Sequence, residues 1–263
     1  MFTHAIVCLP AANFAAGLTT ADLGAPDYAC ALEQHAAYCR ALSACGLQLT
    51  VLPADERFPD STFVEDAAIL TVTGAMLTRP GAPIRSGEVE TISHALTPFY
   101  GHLAAIEEPG TLDGGDVCEA GSHFLIGISA RSNVEGAAQL ARWLAQGGCT
   151  CDCIDIRSTP GILHLKSGLS YIGDNRMVVI DSLADHPALA RYELVRVEAG
   201  EEYAANCIRV NDRLLLPGGY PRLSARLAAL GYAVVELEMS EFHKMDGGLS
   251  CLSLRFSKRN RVS

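Results

Sequence analysis

Apolar and polar positions along this chain follow two periods: short alternating runs that suit strands, and longer stretches with helical spacing. Residues 4–9 read as a strand. Pro26 opens an amphipathic stretch that runs to Gly46, a Pro-first, Gly-last arrangement that predicts a helix. Residues 47–52 are again strand-like. Residues 67–73 and 75–79 flank Gly74 as a hairpin. Residues 88–100 have helical spacing and stop at Gly101, and 117–119 and 123–127 form short strands around Gly121. Ser132, with Glu135 three positions on, predicts a capping box for a helix ending at Gly147-Gly148. Residues 169–172 and 177–180 pair across Asp174-Asn175, and 208–210 pair with 213–216 across Asn211-Asp212. Residues 221–230 form a helix closed by Gly231, and strands at 232–237 and 250–256 finish the pattern.

Helices and hairpins recur about every 50 residues without residue-level self-similarity, which points to a divergent repeat array in an α/β chain. A doubly wound sheet is the competing class. The two hairpins in the C-terminal half argue against a purely parallel sheet. No Gly-, Ser- or Pro-rich linker divides the chain, so residues 1–263 read as one domain.

Composition narrows the function classes. With 49% apolar and 19% charged residues, disorder is excluded as the dominant state. No window approaches the ~18 apolar residues of a membrane span. Thirty acidic against 20 basic residues give a net charge of −10, which repels nucleic-acid phosphates and suits a cationic small substrate. Residues 258–263 carry three cations and read as a solvated tail. There are ten cysteines but no C-x-x-C, which argues against a zinc ribbon or a redox dithiol. Cys149, Cys151 and Cys153 fall on one face of a strand and read as structural thiols. Pro10 interrupts the first apolar run, and no cationic segment precedes it. With free thiols, this predicts a reducing, cytoplasmic setting.

Candidate chemistry lies between the elements. Asp60, Glu65 and Asp66 crowd the segment before residue 67, where an acidic pair grips a cation or simply solvates a turn. Asp113-Gly114-Gly115-Asp116 places two carboxylates around a flexible turn. His164 stands among apolar neighbours, a setting shared by packed core histidines and by proton carriers. Cys251 follows a glycine pair at the start of the last predicted strand, and a cysteine with a distant histidine is a nucleophile pairing. Arg85 and Arg131 sit beside Gly and Ser turns, as surface arginines do and as carboxylate clamps do. Signatures of esterases, P-loop NTPases, zinc proteases and dinucleotide-binding folds are absent.

Seven stretches acquire meaning together: L-P-A-D-E-x-x-P-D-x-x-F-V-E-D-A-A, T-R-P-G-A-P-x-R, T-L-D-G-G-D-V, G-I-S-A-R-S-N-x-x-G-A, L-H-L-K-S, A-A-N-C-I and M-S-E-F-H-K-M-D-G-G-L-S-C. In type and order they resemble the dimethylarginine dimethylaminohydrolases, within the guanidine-modifying superfamily. The resemblance implies a five-bladed, pseudo-symmetric α/β propeller (the pentein fold) with its active site in the central channel. It implies that Cys251 is the nucleophile, His164 the general acid/base, and Asp113 the acidic residue that begins the family's E/D-G-G-D motif. Asp60, Glu65, Asp66, Arg85 and Arg131 match substrate contacts. Leu18 matches the lid leucine, and Met245 a position that contributes a backbone carbonyl.

Three departures bear on substrate preference: Ser132 where Thr is common, Pro160-Gly161 before the histidine segment, and Gly248 in place of a frequent leucine. The implied reaction is hydrolysis of Nω-methylated arginines to citrulline through a thiouronium on Cys251. It requires no metal or organic cofactor, while Cys251 and His164 together suit an inhibitory zinc ion. Alternatives are an arginine deiminase-like hydrolase of another guanidine, a thiol peptidase, and a non-enzymatic amino-acid- or zinc-binding protein.

Overall fold

Five antiparallel strand pairs, four of them hairpins and each extended by a parallel third strand, build the structure, a computed structural model that describes residues 1–257. The basic tail at 258–263 lies outside the described residues. The first unit has β1 (His4–Cys8), helix α1 (Tyr28–Ala44) and β2 (Gln48–Leu52). The second has β3 (Ala68–Leu70), β4 (Ala75–Leu77), α2 (Glu88–Leu96) and β5 (Leu103–Ala105). The third has β6 (Val117–Ala120), β7 (His123–Ile128), α3 (Val134–Gln146) and β8 (Thr150–Asp155). The single-turn helix α4 (Leu165–Gly168) leads into β9 (Leu169–Gly173), β10 (Arg176–Val179) and β11 (Glu193–Arg196). The fifth unit has β12 (Ile208–Val210), β13 (Arg213–Pro217), α5 (Pro221–Ala229) and β14 (Ala233–Leu237). The short α6 (Ser240–His243) then leads to β15 (Leu254–Phe256), which pairs antiparallel with β1 and completes the first unit's sheet.

In every unit the middle strand pairs antiparallel with the inner strand and parallel with the outer one. The inner strands lie beside those of neighbouring units, β6 with β9, β9 with β12 and β15 with β3. The architecture is the five-bladed α/β propeller, and the mixed sheets exclude the doubly wound alternative.

Local sequence explains much of this. Asp27 caps α1 by accepting the Cys30 N–H at 2.8 Å, so Pro26 lies just outside the helix. Ala31, His35, Tyr38 and Leu42 then form one buried stripe, and Gly46 follows at φ +87°. Asp174 and Asn175 both have positive φ, the requirement of a tight two-residue hairpin turn.

The structure corrects four readings. The cap of α3 is Asn133, which accepts the Gly136 N–H at 2.8 Å; the Ser132 hydroxyl is taken by Asp116 instead. The second helix stops at Leu96 rather than at residue 100. Cys251 lies in a 3₁₀ turn (Ser250–Leu252) ahead of β15, not on the strand. Cys149 precedes β8; Cys151 is half-buried and Cys153 exposed.

Candidate active site

The chemistry-bearing side chains come from equivalent places in the repeat, the few residues that precede each unit's inner strand. Asp66 precedes β3, Asp113 precedes β6, His164 precedes α4 and β9, and Cys251 precedes β15. Convergence of the inner strands brings these segments together. One narrow cleft is lined by Leu18, Asp60, Asp66 and Arg85, together with Arg131, His164, Met245 and Cys251.

Glycines permit the approach. A Cβ on Gly114 would lie 1.9 Å from the Glu65 carbonyl oxygen, and one on Gly115 would lie 2.7 Å from His164 Nδ1. The D-G-G-D turn therefore packs directly under the imidazole. Asp113 is fully buried behind it: Oδ2 lies 3.0 Å from His164 Nε2, and Oδ1 accepts the Gly81 N–H at 2.8 Å. Asp116 holds the same segment from below. It accepts the Leu165 N–H at 2.9 Å and both the Ser129 and Ser132 hydroxyls at 2.6 Å.

The charges are set by these neighbours. Burial opposes a charge on His164, but Asp66, Asp116 and Asp113 outweigh it and raise the imidazole to about 9. Burial likewise opposes the Asp66 carboxylate, and His164 and Arg85 hold it below the usual range. The Cys251 thiol is pushed up to about 12 by burial and by Glu65 and Asp66. Its Sγ accepts the Gly248 N–H at 3.4 Å. The free site thus pairs a protonated thiol with an imidazolium beside a carboxylate.

The two arginines differ. Arg85 is buried: its guanidinium grips Glu88 through Nε and Nη2 at 2.8–3.1 Å and reaches Asp66 at 2.6 Å. Burial raises the Glu88 carboxyl to about 7 against the pull of Arg85. The Arg131 guanidinium makes no hydrogen bond or ion pair among the described residues and faces the cleft. Glu65 points elsewhere. Its carboxylate binds Lys166 at 2.6 Å, the Ser250 hydroxyl at 2.7 Å and Arg255 at 3.3 Å. Together with Lys166, Ser250 and Arg255 it lines a separate cavity of about 160 Å³.

The mouth is closed. Asp60 accepts the Leu18 N–H with both oxygens, at 3.0 and 3.2 Å, and Asp246 accepts the Thr20 N–H at 2.5 Å. The space between these side chains is about 20 Å³. Met245 is buried at its edge. Three contributors were not singled out from the sequence: Glu88, Asn206 and Tyr38. The Tyr38 hydroxyl brackets the cysteine turn, at 2.9 Å from the Leu249 carbonyl and 2.6 Å from Ser253 Oγ. Glu88 carries a signal, since it follows Arg85 by three positions at a helix start.

Comparison with known proteins gives consistent matches. The model of the arginine deiminase family matches residues 56–212. The N(G),N(G)-dimethylarginine dimethylaminohydrolase of Pseudomonas aeruginosa is 46% identical, over 97% of this chain and 100% of that one. A structure of that enzyme in complex with citrulline superposes with a TM-score of 0.94, over 97% of this chain and 100% of that chain. The N-terminal domain of ArgZ, a cyanobacterial arginine dihydrolase, shares the fold at a TM-score of 0.85 and 17% identity, covering 98% of each chain.

Proposed function

Because the chain belongs to the dimethylarginine dimethylaminohydrolase family, we propose that it hydrolyses Nω-methylated arginines to citrulline and dimethylamine or methylamine. The observation that carries this reading is the meeting of Cys251, His164 and Asp66 in one cleft whose only unpaired guanidinium, among the described residues, is Arg131. A cationic guanidinium beside Asp66 stabilises a thiolate at Cys251; the proton of the otherwise neutral thiol passes to bulk solvent, because His164 already carries one. Sulfur attacks the guanidinium carbon. His164 gives its proton to the departing dimethylamine, leaving a thiouronium on Cys251. Water, deprotonated by His164, adds to that carbon, the C–S bond breaks, and citrulline leaves. Asp113 orients the imidazole and stabilises its charged form. Arg131 takes the substrate carboxylate, while Asp60 secures the Leu18 segment. The space between these side chains, about 20 Å³, is smaller than an amino acid, so entry of substrate requires the 17–20 segment, held by Asp60 and Asp246, to give way.

The thiol and imidazole also suit a zinc ion, which would inhibit. Ten free cysteines favour a reducing compartment such as the cytoplasm. The second reading, an arginine deiminase-like hydrolase, draws on the family model at 56–212. Incubation with asymmetric dimethylarginine and with arginine, following citrulline, dimethylamine and ammonia, separates them. Dimethylamine released in step with citrulline supports the first reading; ammonia from arginine as the faster product replaces it with the second.

A further inference from the structure

Four of the five units place a chemistry-bearing side chain in the few residues before the inner strand. In the fifth, the corresponding position before β12 is Asn206, which is buried. Its carboxamide is fully engaged. Nδ2 donates to the Lys166 carbonyl at 2.9 Å and to Ser250 Oγ at 3.0 Å, and Oδ1 accepts the Ser250 N–H at 2.9 Å. Lys166 is two residues beyond His164, and Ser250 directly precedes Cys251. One side chain therefore ties the segment carrying the proton donor to the turn carrying the nucleophile.

The tie closes a ring. The Lys166 ammonium binds Glu65 at 2.6 Å, and Glu65 accepts the Ser250 hydroxyl at 2.7 Å. Asn206 is the ring's backbone-to-backbone link, and backbone links fix a spacing more rigidly than long side chains do. Gly248 keeps this arrangement possible, because a Cβ there would lie 2.5 Å from Asn206 Cγ. The departure at Gly248 thus has a partner in the same ring.

We propose that Asn206 is a positioning residue for the reaction, setting the separation and alignment of Cys251 and His164 by bridging Ser250 to the Lys166 carbonyl. It touches neither substrate nor the reacting atoms. The proposal rests on the hydrolase reading above. Its effect falls on the chemical steps rather than on substrate binding, because Asp66 and Arg131 lie outside the bridge.

The test compares wild type, Asn206→Ala and Asn206→Asp, with kcat expressed per Cys251 titrated by an amidine-based alkylating probe. Asn206→Ala is expected to lower kcat about 100-fold while KM changes by less than about threefold. Asn206→Asp keeps the acceptor for the Ser250 N–H but loses both donors, so about a tenfold loss is expected. In both variants the pH profile of Cys251 alkylation shifts, because the thiol moves relative to Glu65, Asp66 and Lys166, the charged groups that act on it. A kcat per titrated cysteine within threefold of wild type, with an unmoved alkylation profile, overturns the proposal. If Asn206→Ala does not fold, Asn206→Asp decides by the same two readouts. Wild type that releases no amine from methylarginine refutes the hydrolase reading instead, and the alkylation profiles still judge Asn206.

Discussion

His164 Nε2 lies 3.0 Å from Asp113 Oδ2, and that carboxylate is closed to solvent. With Asp66 and Asp116, it raises the imidazole to about 9 despite burial. A raised pKa stabilises the fold fully below the ordinary value of 6.5, and that contribution is lost as pH rises through about 9. Asp113→Asn should therefore be less stable than wild type near neutral pH, with a smaller loss of stability on going alkaline. Its kcat should fall, and the alkaline limb of the kcat profile should move to lower pH. Melting curves and pH–rate profiles across that window check both; an unmoved limb would mean that Asp113 does not govern the proton on His164.

Cys251→Ser should abolish turnover in a folded protein, because a hydroxyl is a far weaker nucleophile near neutral pH. The thiol at about 12 adds a sharper expectation. Neutral alkylating agents should modify Cys251 slowly at neutral pH, and guanidine- or amidine-based ones much faster. Mass mapping of the adduct decides. Labelling at Cys151 or Cys153, with activity retained in Cys251→Ser, would sink the assignment.

Arg85 and Arg131 should fail in different ways. Arg85→Ala leaves Glu88 and Asp66 buried without their cation, which typically costs about 3–5 kcal/mol. Arg131→Ala removes a cation with no partner to strand, so stability should hold. That variant should instead lose the preference for a free α-carboxylate over the corresponding amide. Paired melting and competition measurements separate the two. Equal loss of stability in both variants would contradict the burial argument.

Zinc should inhibit reversibly. Cys251 would supply a thiolate and His164 an imidazole; Asp66, Asp113 and His164 have ligand atoms within 4.8 Å of one another, a group that does not include Cys251. Inhibition should be relieved by a chelator and weakened in Cys251→Ser. Loss of activity on chelation, restored by added zinc, would make the metal a requirement and overturn the expectation.

The hairpins are legible because their turns carry Asn and Asp, which tolerate positive φ: Asp174, Asn175 and Asn211 all adopt it. The strands β5 and β11 were not, since three or four residues of L-A-A or E-L-V-R show too little alternation to register. Ser132 and Asn133 are equally good caps on paper. Only the folded chain brings Asp116 to the Ser132 hydroxyl and leaves the cap to Asn133. The sequence marks Arg85 as a candidate carboxylate clamp, but only burial shows that its guanidinium is taken by Glu88 and Asp66. Asn206 gave no signal beyond its place in A-A-N-C-I, because its partners are about 40 residues away on either side.

The first sheet takes β1 from one end of the described chain and β15 from the other, with His4 opposite Phe256. A ribosome delivers β1 long before β15. Until residue 256 emerges, β1 has only β2 beside it, and the ring has a gap where the last inner strand belongs. Cys251 is made just before that closing strand. Cys251 therefore reaches its partners only as the circle shuts, and under the proposed mechanism a nascent chain carrying His164 and Asp113 has nothing yet with which to attack.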